Sequence, residues 1–136
     1  MKKIYLIDDD EDDQFFFKET IKSINSDIKC CIANNGKIAF DYLKTTTSFP
    51  DIVFLDLNMP VMNGFEFLKN LQSELSSQNL LVGIYSTTND DNEKKIAKSL
   101  GAKFFLTKPT DIKLLYKKVK EILFTDFSKV DHFVIA

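Results

Sequence analysis

Four carboxylates, a hydroxyl and an ammonium fall where largely apolar runs of this sequence have just ended. Ile52 to Leu55 is an unbroken apolar run that closes on Asp56 and breaks at Met59-Pro60. Lys3 to Ile7 runs straight into Asp8-Asp9-Asp10, Leu80 to Tyr85 into Ser86, and Lys103 to Leu106 into Thr107-Lys108-Pro109. Two carboxylates about 4 Å apart repel by roughly 4 kcal/mol at an effective dielectric near 20, and a third makes it worse. Either one acid keeps its proton or a cation sits among them. A few hard oxygen ligands favour Mg²⁺, which retains waters and accepts a phosphate oxygen. Lys108 adds a point positive charge and Ser86 a hydrogen-bond donor. Metal, ammonium and hydroxyl together suit a phosphoryl group in transfer, whose equatorial oxygens need stabilising. Asp56 then serves as nucleophile, since carboxylates form aspartyl phosphates.

These residues need elements that bring them to one edge. Runs of four to six residues, mostly apolar, at Lys3–Ile7, Ile28–Ala33, Ile52–Leu55, Leu80–Tyr85 and Lys103–Leu106 read as five strands. Between them lie helical patterns. The first spans about Glu11 to Asn25, with Phe17, Ile21 and Ile24 on its apolar face and acids in its first turn. The others span about Gly36 to Thr45, about Phe65 to Ser76, from an Asn89 or Asp90 cap to Leu100 with Gly101 as its stop, and about Asp111 to Phe124. Asn63-Gly64 reads as a turn. Strand and helix alternating five times predicts an α/β fold, a parallel sheet with right-handed crossovers. In such sheets ligands sit beyond the carboxyl ends of the strands, where the acids, Ser86 and Lys108 all fall.

The bulk numbers narrow the class. At 136 residues the chain fits one domain, here residues 1–124, with 125–136 as a C-terminal tail. Three arrangements are open to the tail: extending the last helix, packing back, or meeting a partner. A net charge of −2 leaves no basic footprint for nucleic acid. No apolar run nears the roughly 18 residues of a membrane span, and the N-terminus lacks a signal-peptide pattern. Adjacent Cys30 and Cys31 point to opposite faces of a strand and read as packing residues in a reducing compartment, so the expected location is the cytoplasm. Thirteen Phe and no Trp predict a Phe-rich core.

The pattern resembles the receiver domain of bacterial response regulators, of the single-domain chemotaxis type, over about residues 3 to 124. The matching pieces are Ile7-Asp8-Asp9, Leu55-Asp56-Leu57-Asn58-Met59-Pro60, Asn63-Gly64, Ser86-Thr87 and Lys108-Pro109, with 30 residues from Asp56 to Ser86 and 22 from Ser86 to Lys108. The resemblance implies a flavodoxin-like (βα)5 doubly wound five-stranded parallel sheet in the order 2-1-3-4-5. It implies that Asp56 takes a phosphoryl group from a histidine kinase or a histidine phosphotransfer protein. Asp8, Asp9 and Asp56, with the backbone carbonyl of Asn58, then hold Mg²⁺. Lys108 pairs with the phosphoryl oxygens and precedes a cis bond to Pro109. Ser86 moves toward the phosphoryl group, and Phe105 takes the place of the switch aromatic. Ser stands where Thr is commoner, keeping the donor, and Phe105 has no phenol oxygen, so a switch there acts by packing.

The resemblance also implies the partners. The fourth helix, fifth strand and fifth helix, with Tyr85 and Phe105, form the face for a downstream protein. With no output domain after residue 136, output to another protein or onward phosphotransfer is expected, without nucleic acid or membrane. Phe15 and Phe16 either shield the first helix or dock the donor beside the acids. Asp10 to Asp13 read as a capping, solvated face, and His132 as a structural or solvated residue. A phosphatase of the haloacid dehalogenase type, with Asp8 and Asp10 as nucleophile and acid, is the competing enzyme reading and needs Asp10 to be indispensable. A scaffold with a vestigial pocket is the competing non-enzymatic one.

Overall fold

A computed structural model describes residues 2–136. Six strands form one sheet: β1 (Lys3–Ile7), β2 (Lys29–Ala33), β3 (Ile52–Leu55), β4 (Val82–Ser86), β5 (Phe104–Thr107) and β6 (Val134–Ile135). Their order is β2-β1-β3-β4-β5-β6, and every pairing is parallel. Five helices connect them: α1 (Glu11–Ile24), α2 (Gly36–Thr45), α3 (Gly64–Glu74), α4 (Asp91–Ser99) and α5 (Ile112–Leu123). The expected doubly wound α/β architecture and the order of the first five strands are therefore present, with a sixth strand added from the tail.

Apolar side chains on both faces of each central strand make this arrangement stable. Ile4, Leu6, Ile52, Phe54, Tyr85, Phe104 and Leu106 point toward α1 and α5, where Phe17, Ile21, Leu115, Val119 and Ile122 meet them. Tyr5, Ile7, Val53, Leu55, Ile84 and Phe105 point the other way, toward α2 and α3. Cys30 packs into the first layer and Cys31 into the second, as their adjacency in a strand requires. The Phe-rich core is real: Phe17, Phe54 and Phe104 form a chain of edge-on contacts with centroids 4.9 and 5.2 Å apart.

Helix ends follow the side chains available. Asp10, Asn35, Asp90 and Asp111 each cap a helix by accepting from its first-turn amides. Asn63 and Glu66 form a reciprocal capping box at the start of α3. Gly101, at φ 96°, lets the chain turn away after α4.

The tail packs back. Phe127 stacks on Phe104 at 5.6 Å, Val134 and Ala136 join the α1/α5 layer, and Phe133 joins the other. The amides of Val134 and Ala136 donate to the carbonyls of Lys103 and Phe105, and the Ala136 carbonyl accepts from Thr107. This closes the edge of β5 and corrects the expected partner face in one respect. Tyr85 and Phe105 are 2% and 0% exposed, so neither side chain is on a surface.

Candidate functional site

The site is built where the parallel ladder runs out. The Asp8 amide donates to Ala33 on β2 at 3.0 Å, that of Asp56 to Ile7 on β1 at 2.9 Å, and that of Lys108 to Ser86 on β4 at 2.7 Å. Each residue is thus pinned to the neighbouring strand one step beyond the last paired residue. Because Ile7 sits opposite Leu55, the side chains of Asp8 and Asp56 emerge next to each other at the crevice between β1 and β3.

The loop after β3 turns sharply at Val61. Its φ is 70° and the Met62 amide donates to Pro60 across it at 2.8 Å, a γ-turn of the uncommon hand. That turn delivers Gly64, whose amide donates to Leu57, against the strand end that carries Asp56. A methyl at Gly64 would stand 2.6 Å from the Asp56 carbonyl oxygen and 2.9 Å from Leu57 Cα. Asn63-Gly64 is therefore a helix start with an enforced close approach. Gly64 has no positive φ, so the turn expected there is not the reason for the glycine.

Asp8, Asp9 and Asp56 each offer one carboxylate oxygen, and all three atoms lie within 4.8 Å of one another. Asp8 is fully buried, Asp56 nearly so, and Asp9 faces solvent. Lys108, just beyond β5, brings its Nζ to the acids, 2.8 Å from Asp8 Oδ2, 3.5 Å from Asp56 Oδ2 and 2.7 Å from Asp13 Oδ2. The Tyr85 ring lies 5.2 Å from the same ammonium. Three carboxylates thus share one ammonium, with the Asp9 carboxylate close by in the acid cluster. Burial pushes the Asp8 carboxyl up to about 6, against the opposing pull of Lys108 and the Asp10 amide. Burial raises Asp56 too, with Lys108 offsetting part of the rise. For Lys108 burial works against the charge, but its bonds to Asp13 and Asp8 prevail and hold it above the ordinary lysine range.

This donor set fits a divalent cation. It is all oxygen, partly open to water through Asp9, and short of positive charge, with Asp8 and Asp56 driven toward protonation in its absence. Ser86 points to a second ligand. Its residue is fully buried and its Oγ has no hydrogen-bond partner, which is costly unless a ligand supplies one.

The remaining expected residues divide. Asn58 is exposed, and its amide donates to Asp56 Oδ1 at 3.3 Å. Phe105 is sealed in the core, with Lys94 Nζ 5.8 Å from its ring centroid. Phe15 and Phe16 are 59% and 42% exposed on α1 and touch each other edge-on at 5.5 Å. The Lys108–Pro109 bond is trans, like every peptide among the described residues, so the expected cis bond is absent; trans is the lower-energy form of an X–Pro bond unless the surroundings select against it. Asp10 is occupied as the cap of α1, bonded to the Asp13 amide at 2.9 Å, and does not join the acid cluster.

Two features were missed. Asp13 is not part of a solvated face: its Oδ2 accepts a hydrogen bond from Lys108 Nζ at 2.7 Å. An acid in the first turn of a helix carries no local signal of a lysine arriving from a distant strand end. Glu93, from α4, borders the groove beside Asp9 and Asn58 with a buried, unpartnered Oε2. Nothing in its local sequence marks it.

Comparison with known proteins gives a consistent result. A family model described as "Response regulator receiver domain" matches residues 4–120. The response regulator Rcp1 of Synechocystis is 25% identical over 126 residues, covering 89% of this chain and 86% of its own. A protein-glutamate methylesterase/protein-glutamine glutaminase of Halalkalibacterium halodurans is 38% identical over 116 residues, covering 82% of this chain. The chain spans only 33% of that relative's length. Among solved structures, the phosphorylated cyanobacterial phytochrome response regulator RcpA superposes with a TM-score of 0.81 at 26% identity, covering 89% of this chain and 90% of its own.

Proposed function

The chain belongs to the response regulator receiver domain family, and from that premise we propose that it is a phosphoacceptor switch of two-component signalling, phosphorylated on Asp56. The observation that carries the reading is the convergence of Asp8, Asp9, Asp56 and Lys108 beside a buried Ser86 hydroxyl that lacks a partner. Asp8, Asp9 and Asp56, with the Asn58 backbone carbonyl, are the residues that would hold Mg²⁺. When bound, the ion neutralises the carboxylates and the oxygens of the incoming phosphoryl group.

The chain's own groups do the rest. An Asp56 carboxylate oxygen attacks phosphorus in line. A P–O bond forms as the P–N bond to the donor histidine breaks, and the imidazole leaves with the electron pair. Ser86 Oγ donates to one phosphoryl oxygen and Lys108 pairs with another. Attack by water on the same phosphorus later returns the carboxylate and releases phosphate, so the protein resets itself rather than turning over a substrate.

The donor is a histidine kinase or histidine phosphotransfer protein, which we place against Phe15 and Phe16 beside the acids. Movement of Ser86 toward the phosphoryl group is read by Phe105 through packing. It is passed to a protein partner at the α4, β5 and α5 side, where β6 forms the outer strand. We read residues 1–124 as the receiver unit and 125–136 as a tail folded onto it, acting in the cytoplasm.

Intact mass after incubation with Mg²⁺ and a small phosphodonor tests this. One added phosphoryl group is expected in the wild type, and none in Asp56→Asn or without Mg²⁺. An unmodified wild type, or an Asp56→Asn variant that still gains the group, overturns it.

A further inference from the structure

We infer that Asp13 is a positioning residue that holds the Lys108 ammonium in the resting site and competes for it with a phosphoryl group on Asp56. The inference rests on the phosphoacceptor reading above. Three carboxylates face Lys108 Nζ, and they are not equivalent. Asp13 Oδ2 is the nearest at 2.7 Å and accepts a hydrogen bond. Asp8 Oδ2 is nearly as close at 2.8 Å, and Asp56 Oδ2 stands off at 3.5 Å.

The three also differ in water access. The side chain of Asp13 is 34% exposed, against 0% for Asp8 and 9% for Asp56. A lysine that leaves Asp13 leaves behind a carboxylate that water can solvate. One that leaves Asp8 strands a buried charge. Asp13 is therefore the acceptor that can be exchanged for another anion. It also lies outside the three-acid cluster, so cation binding there does not cancel its pull on Lys108.

Lys108 has three N–H donors on one carbon stem 7% exposed, with the Tyr85 ring 5.2 Å from Nζ. Its Nζ stands within 3.5 Å of a carboxylate oxygen of both Asp13 and Asp56. Drawing it toward a phosphoryl group lengthens the bond to Asp13. The strength of the Asp13 bond thus sets how strongly the phosphorylated form is favoured.

The probe is beryllium fluoride with Mg²⁺, a phosphoryl mimic, titrated by ¹⁹F NMR. Asp13→Asn is expected to bind it about three- to tenfold more tightly than the wild type, the scale of one partly exposed charge pair. Asp13→Ser, which shortens the side chain, is expected to do the same. Asp12→Asn is the control for net charge: it removes a neighbouring exposed acid of α1 that makes no contact with Lys108, and is expected to shift affinity by less than about twofold. A purely structural role for Asp13 predicts weaker binding in both variants. Unchanged or weaker binding overturns the inference, as does an equal gain in Asp12→Asn. Loss of binding in Asp56→Asn with tight binding in the wild type supports the phosphoacceptor reading separately. Failure of the wild type to bind the probe counts against that reading and with it against this one.

Discussion

At the scale of single residues, the site is held together against its own charge. Asp8 is the clearest case, because burial lifts its folded-state pKa from 3.8 to about 6. An acid with a raised folded-state pKa binds its proton more tightly in the folded chain than in the unfolded one. Its contribution therefore favours folding at low pH, declines as pH climbs from about 4 to about 6, and stays unfavourable above that. Metal-free protein in a chelator is expected to lose stability across that window. Asp8→Asn, neutral throughout, is expected to flatten the decline and to exceed the wild type at pH 7 by roughly 1–3 kcal/mol. Denaturant titrations at pH 5 and pH 7 measure both. A wild type no less stable at pH 7 than at pH 5, relative to Asp8→Asn, contradicts the account. The same carboxylates were legible from sequence because their type is conspicuous where an apolar run ends. Asp13 was not, since an acid in the first turn of a helix reads as a cap or a dipole partner whether or not a lysine reaches it from a strand 95 residues away.

At the scale of elements, the positions of β1, β3, β4 and α2 followed from short apolar runs and caps, because a strand buried on both faces tolerates little else. What could not be read was how closely elements approach. Asn63-Gly64 has the form of a turn, yet the asparagine opens a capping box and the glycine lets α3 rest on the end of β3. Both neighbours that a Cβ would strike first are backbone atoms, the Asp56 carbonyl oxygen and Leu57 Cα, so relief requires moving the strand end itself. Gly64→Ala is expected to cost about 1–3 kcal/mol of stability. It is also expected to slow phosphorylation of Asp56 by a small phosphodonor at least several-fold, because the carboxylate is displaced along with its backbone. Denaturation midpoints and a mass-resolved time course check the two parts. A normal rate in a destabilised protein would mean that the strain relaxes through α3 and leaves Asp56 in place.

At the scale of the whole molecule, the sheet does not end where five strand–helix units predict. A pattern of two apolar residues at Val134–Ile135 falls below the length at which alternation signals a strand, so β6 is visible only through what it pairs with. Its consequences reach across the fold. Without β6, β5 is an open edge, and the amide of Thr107, next to Lys108, loses its acceptor on Ala136. Without the preceding segment, Phe104 loses the stacked ring of Phe127 at 5.6 Å. Deleting residues 125–136 is therefore expected to lower stability by about 2–4 kcal/mol, from lost apolar burial on both faces of the sheet, and to promote self-association through the bared strand. Phe127→Ala, which keeps β6 and removes one ring, is expected to lose about half as much without self-association. Asp8 and Asp56 are pinned by β1, β2 and β3, away from the β5 edge, so both variants are expected to accept a phosphoryl group on Asp56 while folded. Chemical denaturation, sedimentation at several concentrations and intact mass separate these effects. A deletion that leaves the denaturation midpoint and the monomer unchanged would show that the tail is an appendage rather than the sixth strand of the sheet.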